Sequence, residues 1–368
     1  MSKLRAGIIG CGGIALEKHI PALKSCGALC VLTAFCDPAP ERAERARALG
    51  GAPGAKCYRD YHDLLADPEV DVVHICTPNA FHCDIAVAAF AAGKHVYVEK
   101  PMSHSAAEAE RMVAAWKEAG TSFTVGNNAR FRPEVRNLRS ACLHGDLGEI
   151  YYARAAALRR RGVPTWGVFA NKALQGGGPL IDIGVHSLDL ALWCMDNFAP
   201  DSVSGAVFQK LGRLHGAEQG NLFGPWDPDG YEVEDSAFAL LKMKNGAVVS
   251  LETAWAINLL DSREVSVTLA GTRGGGEIRA GISYPVRELV YNRARNGQLM
   301  QEALSPAGQV AYFAGDGGGT EGELDARQWL ESIRKGTDPV VRPEQALAVT
   351  RILEAVYRAA RENIEVRF

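Results

Sequence analysis

Along the first 125 residues, short runs of apolar and β-branched side chains alternate with stretches whose apolar positions recur every three or four residues. The runs Leu4 to Ile9, Leu29 to Cys36, Val70 to Cys76, His95 to Val98 and Ser122 to Val125 predict strands. Between them, Ile14 to Lys24, Glu41 to Leu49, Tyr61 to Leu65, Phe81 to Ala92 and Ala106 to Ala119 predict helices; Gly93 and Gly120 end the last two. Strands separated by helices of this length need crossover connections. The pattern therefore predicts a doubly wound α/β domain over residues 1–126, a parallel sheet with helices on both faces.

Beyond Gly126 the rhythm changes. A helix is predicted over Pro133 to Leu143, and strand-like runs then follow one another: Glu149 to Leu158, Ser202 to Gln209, Ser236 to Lys242, Val248 to Ala256 and Glu264 to Ala270. Lys244-Asn245-Gly246 is a strong hairpin signal between two of them. Gathered strands predict a second domain, 127–368, of α+β class with a large, open and mostly antiparallel sheet. Gly212 to Gly230, rich in Gly, Pro, Trp and Asp, reads as a long loop or insertion, and Gly315 to Gly319 as a flexible segment. The C-terminal run Pro343 to Glu362 is helical in period and is a candidate to pack back on the first domain.

The 368 residues suffice for two or three domains, and 47% hydrophobic with 23% charged is ordinary for a globular chain. Forty basic and forty-three acidic side chains leave a net charge of -3, which argues against a main role in gripping nucleic acid or anionic membrane. No apolar run reaches the length of a membrane span, and Leu4 to Ile9 reads as a strand, not a signal peptide. Nine scattered cysteines without a CxxC pair point to reduced thiols and a cytoplasmic protein.

The chemistry sits at the ends of the predicted strands. Gly10, Gly12 and Ala15 form G-x-G-x-x-A between the first strand and the first helix. The first Gly permits a tight turn and the second lets the backbone approach a pyrophosphate. The small third residue packs helix on strand. Asp37 ends the second strand, 22 residues after Ala15, where a carboxylate accepts ribose hydroxyls; an ordinary capping role fits the same place. Pro38 leaves no cation beside it, which favours NAD over NADP, with Arg42 one turn on as the counterweight. Thr77-Pro78-Asn79 and Glu99-Lys100-Pro101 follow two further strands, at the edge where open α/β sheets bind ligands. His82, on the next helix, is as well suited to packing or capping. The run Gly176 to Asp189 places Asp182, His186 and Asp189 on one face of an otherwise apolar helix. A proton-transfer site and a satisfied core histidine both fit that face; a zinc site lacks a third ligand, and no metal is expected.

These motifs, in this order and at these separations, resemble the Gfo/Idh/MocA family of nicotinamide-dependent oxidoreductases over nearly the full chain. The resemblance implies an N-terminal Rossmann domain and a C-terminal domain whose open sheet serves a homodimer or homotetramer. It implies NAD chemistry on a secondary alcohol or ketone of a sugar, inositol or related polyol. Lys100, Asp182 and His186 then hold the catalytic positions. Gly10, Gly12, Gly13, Ile14, Asp37, Thr77, Pro78, Asn79, His82, Glu99 and Asn127 hold the cofactor side, and Arg130, Trp166 and Lys172 the substrate side. Related chemistries stay open: an NAD-dependent glycoside hydrolase or epimerase that oxidises transiently, and a non-catalytic NAD sensor. An intact Lys100, Asp182 and His186 set argues against the sensor.

Overall fold

The computed structural model describes residues 2–281, 284–304 and 319–368, so most of the segment Gly315 to Gly319 lies outside the described residues. The chain divides into two compact units. One runs through Phe131 and takes back a C-terminal stretch ending at Leu347; the other begins at Arg132 and includes Ala348–Phe368.

The first unit is built on six strands: β1 (Leu4–Ile9), β2 (Cys30–Cys36), β3 (Lys56–Tyr58), β4 (Val72–Ile75), β5 (His95–Val98) and β6 (Phe123–Val125). They pair in the order β3-β2-β1-β4-β5-β6, every neighbour parallel. All four residues of β4 are buried, as befits a strand covered on both faces. Alternate strand residues feed two cores. Val73, Ile75, Val96 and Val98 enter one, and Ala6, Ile8, Leu32 and Val72 the other. The strand order reverses between β1 and β4, so the crevice for a ligand opens beyond their carboxyl ends.

A helix absent from the sequence expectation, Glu321–Lys335, completes the second core with Ala326, Trp329 and Leu330. Its signals were local. The Thr320 hydroxyl accepts the Glu323 amide while the Glu323 carboxylate accepts the Thr320 amide, and Gly336 ends the helix at φ 64°. Trp329 is fully buried against His74 and Tyr97, and its indole N–H donates to Ser122 Oγ at 3.0 Å.

The second unit holds a nine-stranded sheet. Its strands are β7 (Ile150–Leu158), β8 (Pro200–Phe208), β9 (Ser236–Met243), β10 (Val248–Ala254), β11 (Arg263–Gly271), β12 (Gly275–Gly281), β13 (Tyr284–Arg295), β14 (Gln298–Leu304) and β15 (Val366–Arg367). Among the described residues only β7 and β10 pair in parallel; the order is β14-β13-β12-β11-β7-β10-β9-β8-β15. The strands β12 to β14 lay outside the expectation: β12 is glycine-rich, and every residue of β14 is exposed, so neither shows a clean apolar alternation. Asn245-Gly246 turns β9 into β10, with Gly246 at φ 89°. Ala153, Ala155 and Ala157 on β7 are buried, and their small side chains give room for the helix Val185–Cys194, which is itself buried nearly all round. Among the described residues no helix is long and apolar enough to cross a membrane.

The stretch Gly212 to Gly230, expected as a long loop or insertion, is a series of turns and bends held at its base. The Asp235 carboxylate accepts the amides of Lys210, Leu211 and Gly212 at 2.5, 2.6 and 2.9 Å. Ala217, Trp226, Tyr231 and Val233 bury themselves in a cluster with Ile183 and Trp255.

Candidate active site

In the first unit, the glycine turn separates two functions. Gly10 has φ 87°, and a Cβ there would lie 2.8 Å from the carbonyl carbon and oxygen of Cys76 and from Thr77 N. The turn is thus pressed against the loop that follows β4. Gly12 and Gly13 have no atom within 4 Å of where a Cβ would sit, which leaves an open cradle. Ala15, fully buried, begins a wide π-helical turn, Ala15–His19, that runs into Ile20–Ser25; Ile14 stays 43% exposed beside the cradle. Asp37 is buried, its Oδ2 accepting Cys11 N at 3.0 Å and its Oδ1 accepting Ala39 N at 3.0 Å. The acid both locks the glycine turn and caps its own, and each oxygen keeps a second lone pair for a ribose hydroxyl. Two buried polar atoms in this unit, Thr77 Oγ1 and Asn127 Oδ1, have no partner among the described residues. Asn79, after Pro78, is buried as well. An open cradle, an acid at the end of β2 and two orphaned polar atoms fit a dinucleotide.

Glu99 turns inward. Its Oε1 accepts from Lys18 Nζ at 2.5 Å and His19 Nε2 at 2.7 Å, while Oε2 accepts the Lys100 amide at 3.0 Å. Burial alone would push the carboxyl up, but Lys18 and His19 override it and hold Glu99 well below the usual range. Burial pushes His19 and His74 down, so both are neutral near pH 7, and their Nδ1 atoms share one proton across 2.9 Å. Glu99 therefore ties the first helix to the backbone of Lys100. It anchors the turn from inside.

His82 is fully buried, with one ring nitrogen 2.9 Å from Thr77 O and the other 2.9 Å from Pro101 O. It staples the two loops together. Arg130 is a correction: expected to line the substrate side, it is wholly buried within the first unit, with Nη1 donating to Val340 O at 3.1 Å and Gln345 Oε1 at 2.6 Å. Its guanidinium is spent holding the returning C-terminal segment. Lys100, half-buried, belongs to the first unit, and Asp182 and His186 to the second.

In the second unit, Gly176-Gly177-Gly178 leads into a π-helical turn, Leu180–Gly184, and then the helix Val185–Cys194. The glycines are required by contact. A Cβ at Gly177 would lie 2.0 Å from the Tyr357 hydroxyl, and one at Gly178 would lie 2.3 Å from Glu234 O. The Glu234 carboxylate accepts Gly178 N at 2.8 Å, Leu180 N at 3.1 Å and the Tyr357 hydroxyl at 2.8 Å. A buried carboxylate thus caps the helix where its free amides and dipole favour negative charge, although burial raises its pKa. Asp182 and His186 are half-buried on the wide turn and the turn after it; Asp182 Oδ2 accepts the Trp255 indole N–H at 3.1 Å. Asp189 is buried, at 1% exposure, so the expected three-residue face reduces to a pair. Lys172 is exposed at the start of Lys172–Gln175, and Trp166 is 52% exposed.

Sequence reasoning missed Glu234, Tyr357 and Trp255. Glu234 stands 56 residues from the amide it caps, so no local spacing could mark it. Lys18 and His19 were hidden inside a helix read only for its fingerprint.

Two family models match the chain in order. "Oxidoreductase family, NAD-binding Rossmann fold" covers residues 4–127, and "GFO/IDH/MocA C-terminal domain" covers residues 135–277. The chain is 38% identical to D-glucoside 3-dehydrogenase of Escherichia coli (strain K12) over 305 residues, 83% of this chain and 84% of that one. The crystal structure of aldose-aldose oxidoreductase from Caulobacter crescentus complexed with glycerol superimposes with TM-score 0.80 at 26% identity, covering 100% of both chains. Levoglucosan dehydrogenase in complex with NADH gives TM-score 0.84 at 23% identity over 100% of this chain and 99% of that one, a likeness of fold.

Proposed function

Since the chain belongs to the Gfo/Idh/MocA oxidoreductase family and carries its NAD-binding Rossmann domain, we propose that it reversibly oxidises a secondary alcohol of a sugar, inositol or related polyol. NAD, when bound, supplies the hydride acceptor; the residues supply position and proton transfer. A ring nitrogen of His186 takes the hydroxyl proton, and Asp182 steadies the imidazolium that results. The Asp182 carboxylate is itself held by Trp255 Nε1, which fixes its aim. Lys100, its backbone fastened by Glu99, donates to the substrate oxygen and offsets developing alkoxide charge. Gly12, Gly13 and Asp37 hold the dinucleotide, with Thr77 Oγ1 and Asn127 Oδ1 as the polar atoms it would satisfy.

The observation that carries the reading is the half-buried Asp182 and His186 pair on a helix whose start is built by Glu234 and close-packed glycines. Such a pair is costly to keep at a partly solvated helix end unless it moves a proton. Similarity to a D-glucoside 3-dehydrogenase makes a glucoside ring the first substrate to try. Assembly into a homodimer or homotetramer through the open sheet, and a reducing cytoplasmic setting that suits nine free thiols, belong to the same proposal.

The test is His186→Ala, assayed with NAD and methyl glucosides, inositols and aldoses. Turnover should fall a hundredfold or more while NADH binds as in the parent chain. Near-normal turnover would remove His186 from the reaction.

A further inference from the structure

We propose that the insertion between β8 and β9 builds a second-ring subsite, so that the preferred substrates are glycosides carrying a ring beyond the one oxidised. This rests on the reading above. An unbroken file of side chains leads outward from Asp182. Its carboxylate holds Trp255 Nε1 at 3.1 Å. Trp255 meets Phe169 edge-on at 6.2 Å between ring centres, Phe169 meets Trp166 at 5.9 Å, and Trp166 meets Phe223 at 4.8 Å. The inner end is fully buried and the outer end is open: Trp255 is at 0%, whereas Trp166 is 52%, Phe223 40% and Leu222 71% exposed. Large apolar side chains grouped at the rim of a site are normally covered by a ligand.

The ledge is also fixed in place. The Asn221 side chain accepts Val163 N at 2.9 Å and donates to Val163 O at 2.9 Å, and the Thr165 hydroxyl donates to Phe223 O at 2.6 Å. These bonds clamp the loop onto the irregular segment that presents Trp166. Trp226 Nε1 donates to Gly212 O at 2.8 Å and closes the base of the loop. Leu222 also lines a cavity of about 400 Å³, together with Arg160 and Gln219. It has room for a ring, and it offers donors to that ring's hydroxyls. A sugar face and an aryl face share the chemistry the ledge recognises, a flat surface of polarised C–H bonds or π density.

The experiment compares kcat/KM for methyl β-glucoside, methyl β-cellobioside and phenyl β-glucoside in the parent chain, Phe223→Ala and Leu214→Ser. Leu214 is an exposed residue of the same insertion outside the ledge. The parent should favour at least one two-ring substrate about tenfold, the worth of one good ring contact. Phe223→Ala should remove most of that preference and Leu214→Ser none. The cellobioside and the phenyl glucoside tell a sugar ring from an aryl ring. Equal preference in the parent and Phe223→Ala, or no preference in the parent, overturns the subsite. Should no glycoside be oxidised, calorimetric titration of the NADH-loaded chain with methyl β-cellobioside decides separately. Binding that Phe223→Ala weakens upholds the ledge while the oxidoreductase reading fails; no binding overturns the ledge too.

Discussion

Two glycines two residues apart in the fingerprint region, Gly10 and Gly12, should fail in opposite ways. At Gly10, a methyl group would meet Cys76 and Thr77 backbone atoms at 2.8 Å in a residue held at φ 87°. The backbone conformation alone costs an L-residue about 1–2 kcal/mol. The overlap is with main chain that belongs to the β4 loop and cannot rotate away, so Gly10→Ala should lose roughly 3–5 kcal/mol in all. At about 2–4 °C per kcal/mol for a domain of this size, melting should fall by roughly 6–20 °C. At Gly12, the same methyl points into empty space with no atom within 4 Å. Gly12→Ala should keep the parent melting temperature within about 2 °C, and fewer unfolded conformations could even raise it slightly. Yet it fills the space that a pyrophosphate needs, so NADH affinity should drop at least about tenfold, or about 1.4 kcal/mol. Differential scanning fluorimetry and titration of NADH fluorescence read the two effects separately. Parent-like NADH affinity in Gly12→Ala would refute the cradle, and parent-like melting in Gly10→Ala would refute the close approach.

Glu234→Ala leaves two helix-start amides and the Tyr357 hydroxyl without their acceptor, at about 1–3 kcal/mol each before water enters the gap. Urea unfolding followed by tryptophan fluorescence should show at least about 3 kcal/mol lost, with Glu234→Gln losing less than half as much; a loss under 1 kcal/mol in the Ala variant contradicts the capping role. Asp325, buried beside Tyr97, has its pKa raised by burial to about 6. Because its folded pKa lies above the unfolded value, the stability linked to its proton is complete below about pH 4 and is lost as pH rises through about 6, on the order of 3 kcal/mol. The melting temperature of the parent relative to Asp325→Asn should therefore rise as pH is lowered from 7.5 to 5, and a difference independent of pH would show that Asp325 does not titrate there.

The sequence by itself carried whatever depends on neighbours along the chain. Periodicity located five of the six strands of the first unit, all but the short β3, and Asn245-Gly246 located a hairpin of the second unit, because the backbone angles and the buried face are decided within a few residues. The same reasoning singles out the glycine turn, Asp37, Lys100 and the pair Asp182 and His186 as candidates, as each sits at a fixed offset from a strand or helix end. Tertiary structure decided which polar residues face inward. Glu99 and Arg130 look as available for a ligand as Lys100 does in a string of letters. Only packing shows the first taken by Lys18 and His19 and the second by Val340 O and Gln345. The carboxylate that makes the second site's helix start workable, Glu234, arrives from far along the chain because a buried amide needs an acceptor nearby in space, and sequence separation sets no limit on where that acceptor comes from.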